Sequence, residues 1–413
     1  MMTMMKCRSA CRKIITEKRR KMVKKLCVVI LFVFFASRVY CDSFALQTYK
    51  QRFSRADLSI KAQILEGAAY DRSISDSLGE FYDYAAQFAL DNFEILKNDP
   101  DMIRIIGIAV NGLRNTGYSE SLDSLWRLFM GYQDSAIGTD ILVTMGKLGK
   151  KNTQIIDSIN NYLMEKNFLY ISGENINYAM ISACIAAIME LGDNSSYPVL
   201  FAVLCAGYPE VISYEAQGAL ELIPGNYKQF LIDTIMKNPP EEKFIALRAG
   251  TNSVRLSISD RGQIAELALE QSLASYSDEE SDGLSALRYA AVLALTPLRW
   301  TRANALAIRN YYRVLSDYQH NDVPKERFIE AIRLLGAVGN SDAALALGLQ
   351  LGLINARTAK YGEFDAEITL AIVRALGLIG DKAAFDHLLN VNYLSYPDNI
   401  LAAAKEAIDR LKW

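Results

Sequence analysis

The sequence predicts an all-α fold, an α-α superhelix of about eight to ten stacked helix pairs. Three observations favour it. A phrase with two glycines recurs along the chain, the residues before it are apolar at helical spacing, and the composition argues against a β-rich fold. Of 413 residues, 51% are hydrophobic and only 9 are proline, without clean alternation of apolar and polar residues.

The recurring phrase reads Leu-Gly-Ala-Val-Gly-Asn at residues 335–340 and Leu-Gly-Leu-Ile-Gly-Asp at residues 376–381. Related phrases occur at residues 145–150 and, less completely, at 189–193. The distance between the two clearest copies matches the period of roughly 40 residues that is typical of stacked helical repeats. An ordinary all-helical domain with coincidental glycines is the alternative.

Apolar residues before the phrase recur at intervals of three, which marks one face of a helix. In the two clearest copies they are Ile329, Ile332, Leu335 and Val338, and Leu370, Val373, Leu376 and Ile379. A pair of such helices cannot bury both apolar faces alone, so each pair is expected to stack on the next.

The second glycine of the phrase is predicted to end one helix, and the residue after it to cap the next. Gly192, Gly339 and Gly380 are expected in the left-handed conformation, which costs glycine little. Gly225 and the three glycines just named are each followed by a residue whose side-chain oxygen can cap a helix. The predicted structural turn residues are Gly149, Gly192, Asp193, Gly225, Asn226, Gly339, Asn340, Gly380 and Asp381. Between the clear copies, residues 295–297 take the place of a glycine turn.

These residues resemble HEAT repeats of the armadillo-like class, especially the short bacterial kind found in phycobilin-lyase-like (PBS-lyase-like) proteins. The resemblance is clearest at residues 135–240 and 325–413. It implies a protein-binding scaffold and no catalytic residues, and the turn phrase does not imply lyase activity.

The chain is expected to divide into four segments. Residues 1–21 are dispensable or an extended n-region, and residues 22–41 are a signal peptide. Residues 42–130 form N-terminal helical capping repeats. Residues 131–413 form the HEAT-like repeats, with a polar surface loop at residues 275–283.

Residues 22–41 have the basic, apolar and polar order of an export signal. Lys24 and Lys25 precede an apolar run of residues 26–36, which is shorter than the roughly 20 residues of a membrane span. We expect cleavage before Asp42 and a periplasmic protein. An uncleaved anchor and a lipidated Cys41 are the alternatives, although Tyr40 is a poor match to a lipoprotein signal.

Removing the basic leader leaves an acidic protein. Residues 42–413 carry 34 Lys and Arg against 46 Asp and Glu, a formal charge of −12. Nucleic acid and anionic lipid would be repelled by the average surface, so neither is an expected partner. Cys184 and Cys205, which would remain in the mature chain, are either buried thiols or a disulfide.

The sequence offers little chemistry. Only His320 and His387 are histidines, and no nucleophile, zinc or phosphate-loop motif is present. The acidic residues at 278–282 resemble a calcium loop, but Tyr289 stands where the closing glutamate is needed. We therefore expect no catalytic residue, no cofactor and no metal.

One basic and aromatic patch stands out on this acidic chain. Arg302, Arg309 and Arg313 share one helical face near Trp300, and arginine with aromatics is typical of interface hot spots. A solvated face with paired arginines is the alternative. The predicted function is a non-enzymatic scaffold in the bacterial cell envelope that binds a protein or peptide. The alternatives are a glycan enzyme with paired carboxylates and a purely structural protein.

Overall fold

A computed structural model describes residues 44–133, 136–274 and 282–412, and these ranges are almost entirely helical. They contain 21 α-helices that pack on their neighbours in sequence order, so the all-α class is confirmed. No β-strand occurs in the described ranges, where a single bridge pairs Asp381 with Lys412. The predicted signal peptide, Cys41 and residues 275–281 of the polar loop lie outside the described residues.

The chain forms two compact units, which divide between Ile223 and Pro224. The helices of the first unit are α1 (44–55), α2 (Leu58–Ala68), α3 (Leu78–Asp91), α4 (Phe93–Leu96), α5 (Pro100–Thr116), α6 (Leu122–Tyr132), α7 (Ala136–Leu148), α8 (Thr153–Ile171), α9 (Tyr178–Leu191), α10 (Tyr197–Ala206) and α11 (Glu210–Leu222).

The second unit begins after the Ile223–Pro224 boundary and contains ten helices. They are α12 (Tyr227–Lys237), α13 (Pro240–Asn252), α14 (Ile258–Leu273), α15 (Asp282–Leu298), α16 (Asn304–Gln319), α17 (Lys325–Val338), α18 (Ser341–Tyr361), α19 (Ala366–Ile379), α20 (Phe385–Val391) and α21 (Asp398–Asp409). The sequence predicts Asp282 and Gly283 in the polar loop, but they form the start of α15.

From α5 onward, the odd-numbered helices are called A helices. The even-numbered helices, each of which follows an A helix, are called B helices. In the first unit α5, α7, α9 and α11 pack in a row, and in the second unit α13, α15, α17, α19 and α21 do so. The B helices of the second unit form a parallel row from α12 to α20. The 21 helices of the described ranges agree with the predicted eight to ten helix pairs.

The first glycine of the repeated phrase lets consecutive A helices touch. A Cβ on Gly336 of α17 would lie 2.8 Å from the Cα of Ala375 on α19. A Cβ on Gly377 would lie 2.9 Å from the Cα of Ala407 on α21, and Gly146 meets Ala187 in the same way. These glycines are therefore required by backbone contact between repeats, a role that the sequence interpretation did not assign.

The second glycine behaves as predicted at two of its positions. Gly192 and Gly380 end α9 and α19 with φ of 67° and 69°. The capping prediction is confirmed at all four positions, where a side-chain oxygen accepts a backbone N–H a few residues ahead. The donors are Ser195 for Asp193, Gln229 for Asn226, Asp342 and Ala343 for Asn340, and Ala383 for Asp381.

The prediction of a left-handed residue is wrong at Gly339, which has φ −68° and ψ 160°. Glycine is needed there for space, because a Cβ would lie 2.2 Å from the carbonyl oxygen of Leu335. Gly149 likewise has no positive φ, and its Cβ would lie 2.8 Å from the carbonyl oxygen of Met145. At Gly339 the chain therefore leaves the helix in an extended conformation.

The turn predicted at residues 295–297 lies slightly further along the chain. Thr296 and Pro297 lie inside α15, and the chain turns at Arg299, whose φ is 49°. Arg299 lies one repeat before Gly339 and so holds the turn-glycine position. A non-glycine residue in this region is strained by roughly 1 kcal/mol or more.

The two cysteines in the described part of the first unit, Cys184 and Cys205, are not joined by a disulfide. Cys184 on α9 is a buried thiol. Burial raises the pKa of the Cys184 thiol well above its ordinary value, because the thiolate loses its hydration. Of the two interpretations of these cysteines, the buried thiol is the one that the fold supports at Cys184.

Candidate functional site

An open groove of about 790 Å³ crosses three successive A helices of the second unit. Its walls come from the C-terminal end of α15 and from the outward faces of α17 and α19. Small residues form its floor, since Gly336 and Ala375 bring α17 and α19 together without a side chain above them. The groove therefore follows from the same glycine that sets the repeat contact.

The two central helices present the same positions to the groove. Counted back from Gly339 and Gly380, the lining residues lie thirteen, ten, six and two positions earlier, which is one helical face. The pairs are Glu326 and Glu367, Ile329 and Leu370, Arg333 and Arg374, and Ala337 and Leu378. The sequence interpretation missed this set, although an arginine six positions before Gly339 and before Gly380 was visible in the sequence.

Some of the charged side chains around the groove form ion pairs with one another. Lys325 lies 2.6 Å from Glu367 and 3.4 Å from Asp365, and Arg333 pairs with Glu330 one turn earlier. The hydrogen bond to Glu367 is the main reason that the pKa of Lys325 is raised, and Asp365 adds to it. Glu330 and Glu367 are thereby each matched with a cation.

Two arginines of the groove have no such partner. For Arg299 and Arg374, both exposed, the described residues supply no carboxylate within ion-pair distance and no side-chain hydrogen bond. Arg374 stands between Leu370 and Leu378, one turn to either side. Arg299 lines the α15 side of the groove from its strained turn. The groove thus offers two uncommitted guanidinium groups beside leucine side chains.

The predicted patch lies elsewhere, on the turn before α16 and on α16 itself. Trp300 is half-buried, and its ring packs on α14 so closely that a Cβ on Gly262 would lie 2.5 Å from it. Its indole N–H donates to Glu266 at 2.7 Å. The indole is therefore a contact between α14 and the α15–α16 turn.

The three arginines of the patch also have partners within the chain. Arg302 lies 3.7 Å from Glu266, and Arg309 donates to the carbonyl oxygen of Leu273 at 3.4 Å. Arg313 lies 3.1 Å from Asp317, which also binds the buried Arg288 at 3.0 Å. The structure brings Trp300 and Arg302 together at Glu266, whereas Arg313 pairs with a different carboxylate. The role of this patch in partner binding stays a prediction.

A smaller crevice of about 390 Å³ lies between α16 and α18. Tyr318, Phe328 and Phe364 line it, with Arg357 held by Glu363 at 2.8 Å. Within the described ranges, no group of three or more His, Cys, Asp or Glu side chains could hold a metal ion. No helix of those ranges is both long and apolar enough to cross a membrane.

The histidines have structural contacts. The Nδ1 atom of His320 lies 2.8 Å from the carbonyl oxygen of Ser316 at the end of α16. The ring of His387 fills the space above Gly348 and Gly352 of α18, and its own carbonyl accepts from Asn355 at 3.0 Å. His320 therefore closes the end of α16, and His387 packs α20 against α18.

Comparison with known proteins assigns no family. No protein-family model and no curated protein matches the sequence. Seven chains among the solved structures do match, and one of them is a crystal structure of an engineered protein from the Northeast Structural Genomics Consortium. It is 13% identical, with 88% of this chain and 98% of that chain covered, and the TM-score is 0.35. A similarity at that level carries no functional information.

Proposed function

We propose that this protein is a non-enzymatic scaffold of HEAT-like repeats that holds a segment of a partner polypeptide in the groove on α15, α17 and α19. One observation carries the proposal. A groove of about 790 Å³ crosses three consecutive repeats and combines apolar side chains with arginines that lack partners. Such a mixture of apolar anchors and a few charged groups is typical of polypeptide interfaces.

The shape of the groove favours a chain over a compact ligand. Neighbouring helices lie about 8–10 Å apart, so a ligand that contacts α15, α17 and α19 spans roughly 16–20 Å. That length corresponds to about six residues of extended polypeptide. The groove is open to solvent along its length, whereas sites for small molecules usually enclose most of the ligand.

Site-specific crosslinking tests the proposal. A photo-reactive benzoylphenylalanine replaces Leu378, which is 56% exposed in the groove, and in a control it replaces Leu349, which is 62% exposed on α18. We expect one polypeptide of the cell envelope, identified by mass spectrometry, to crosslink at position 378 and not at 349.

A matched pair of blocking variants makes the test specific. Ala371→Trp fills the groove, and Ala356→Trp adds the same ring to an exposed position of α18. The crosslink at position 378 should disappear with Ala371→Trp and persist with Ala356→Trp. A crosslink that survives Ala371→Trp in a folded protein would contradict the proposal.

We propose further that the protein works after export, in the periplasm. The support is the basic, apolar and polar order of residues 22–41. Fractionation with N-terminal sequencing tests it. We expect a mature chain that begins at Asp42, whereas an intact leader in the cytosol or an acylated Cys41 would contradict that result.

A glycan hydrolase remains the second candidate because of Glu326 and Glu367. They hold equivalent positions on helices about 8–10 Å apart, and inverting glycosidases separate their carboxyl groups by about 6.5–9.5 Å. Against this candidate, Lys325 holds Glu367 at 2.6 Å and the groove does not exclude water. We expect no reducing ends from envelope glycans. Release that is abolished by both Glu326→Gln and Glu367→Gln would favour the enzyme.

A further inference from the structure

The groove has two uncommitted arginines and, among the described residues, one uncommitted carboxylate, Glu326, and this excess of positive charge indicates an acidic ligand. Arg299 and Arg374 line an open groove without a carboxylate partner among the described residues. An arginine guanidinium presents a planar fork that matches a carboxylate. A ligand carboxylate at Arg374 would therefore gain a charge-assisted pair without displacing a partner that this chain provides.

The repeat sets the spacing of the cations. Arg333 and Arg374 both lie six positions before a turn glycine, on helices about 8–10 Å apart. In a polyproline II helix every third residue returns to the same face, about 9 Å further along the axis. Carboxylates on every third residue of such a segment would match successive A helices. Arg333 would turn from its partner Glu330 towards the ligand, and the new pair would have to offset the loss of the old one.

Helical walls also select the backbone conformation of the ligand. The backbone groups of α17 and α19 are satisfied within each helix, so an added β-strand would find no open ladder. A polyproline II segment needs none, because its backbone groups stay solvated. Apolar residues between the carboxylates would meet Leu370 and Leu378, one turn to either side of Arg374.

We infer that the groove binds an acidic polypeptide segment in the polyproline II conformation, with a carboxylate on every third residue placed against Arg333 and Arg374 and with Arg299 as a further cation at the α15 side. This inference rests on the proposed function and specifies the chemistry of the partner segment. A long polyanion is disfavoured, because the formal charge of −12 on residues 42–413 repels it outside the groove.

The test uses the full-length chain and fluorescein-labelled peptides in anisotropy titrations. The probe contains three Glu-Pro-Pro units. A charge control replaces each glutamate by lysine, and a spacing control places glutamate on every fourth residue. We expect the probe to bind with an affinity that falls as salt rises, the lysine peptide not to bind, and the spacing control to bind several-fold more weakly.

Arginine variants locate the binding. Arg374→Ala should weaken the probe about tenfold, the effect of losing one charge-assisted hydrogen bond. Arg357→Ala removes an exposed arginine of α18 and should leave binding unchanged. Circular dichroism confirms that both variants fold.

Three results would overturn the inference. They are no binding of the Glu-Pro-Pro probe, equal binding of the spacing control, and unchanged binding by a folded Arg374→Ala variant. Displacement of the probe by an equal concentration of single-stranded oligothymidine would assign the arginines to nucleic acid instead. If the crosslink at position 378 persists while the probe fails, the scaffold function stands and only the ligand chemistry is wrong.

Discussion

Gly336 of α17 packs directly on Ala375 of α19, so closely that a Cβ on the glycine would lie 2.8 Å from the alanine Cα. The same contact recurs between Gly377 and Ala407 one repeat later. It fixes the spacing of the A helices, and it leaves the low floor over which the groove runs. Stability of the second unit and the shape of its groove therefore depend on the same atoms.

Gly336→Ala should destabilise the protein by about 1–3 kcal/mol, because the added methyl group overlaps the backbone of α19. The matched control is Gly218→Ala on α11, where a Cβ would meet nothing within 4 Å. That change should be neutral or stabilise by up to roughly 1 kcal/mol, since alanine is the better helix former. Urea unfolding measures both, and equal effects of the two changes would refute the packing argument.

The two kinds of turn glycine should respond differently to asparagine. Gly117 has φ 69° and open space around its Cβ position, and asparagine tolerates the left-handed conformation. Gly117→Asn should therefore cost less than about 1 kcal/mol. Gly339→Asn should cost about 1–3 kcal/mol or more, because its Cβ would overlap the carbonyl oxygen of Leu335. If thermal unfolding ranks the variants in the opposite order, the distinction between the turns fails.

The parts of the fold that could be predicted are those written in local sequence. Asn340 and Asp381 cap the helix or turn that follows them because a capping oxygen reaches only the next few amides. The apolar face before each turn follows from the helical period. Left-handed glycine at position 380 and extended glycine at position 339 share one phrase, so their difference depends on tertiary contacts.

The candidate site could not be predicted in the same way. The groove exists because small residues of helices distant in sequence meet, as Gly336 meets Ala375. Trp300 is half-buried because Gly262, on the preceding B helix α14, leaves room for its ring. Neither contact is encoded in a spacing that one sequence displays. The repeated arginines at 333 and 374 were readable, but their exposure beside a groove was not.

Asp381 links consecutive turns and should give the protein a pH dependence. It accepts the hydroxyl of Ser341, which is the largest cause of its lowered pKa, and the N–H of Ala383 at 2.8 Å. A carboxyl group with a lowered folded-state pKa stabilises the fold above its unfolded pKa of 3.8. That contribution is lost as pH falls through the folded-state value.

Asp381→Asn keeps a capping oxygen and removes the charge. We expect the wild-type chain to be more stable than this variant at pH 7 and the difference to vanish as pH falls through the lowered folded-state pKa of Asp381, which lies below 3.8. A Ser341→Ala variant should raise the pKa of Asp381 toward its ordinary value in an NMR titration of the carboxyl carbon. An unchanged titration in Ser341→Ala would show that the bridge between turns does not set the pKa.

The ion pair of Arg288 with Asp317 should matter more than any exposed pair. Arg288 is 5% exposed and Asp317 is 14% exposed, with 3.0 Å between the charged groups. Asp317→Ala removes a carboxylate that pairs with both Arg288 and Arg313 and should cost about 1–3 kcal/mol. The exposed pair of Arg357 with Glu363 is the control, and Glu363→Ala should cost less than about 1 kcal/mol.

A double variant separates the two explanations of a large loss in Asp317→Ala. Arg288→Met together with Asp317→Leu replaces the pair by apolar side chains of similar size and should recover most of the stability. If the double variant is as unstable as Asp317→Ala, the aspartate acts through its packing or through Arg313, and the buried charge is not the cause.

Charge reversal at Arg302 and Arg309 compares the predicted patch with the groove. Each reversal places a carboxylate beside an acceptor, Glu266 for Arg302 and the carbonyl oxygen of Leu273 for Arg309. Because both arginines are exposed, the double variant should lose only about 1 kcal/mol of stability and keep its helicity. The crosslink at position 378 should be unchanged, whereas Arg374→Glu should abolish it. The opposite result would place the partner on the Trp300 patch instead. In that result a folded Arg302→Glu, Arg309→Glu variant loses the crosslink, and the Arg374→Glu variant keeps it.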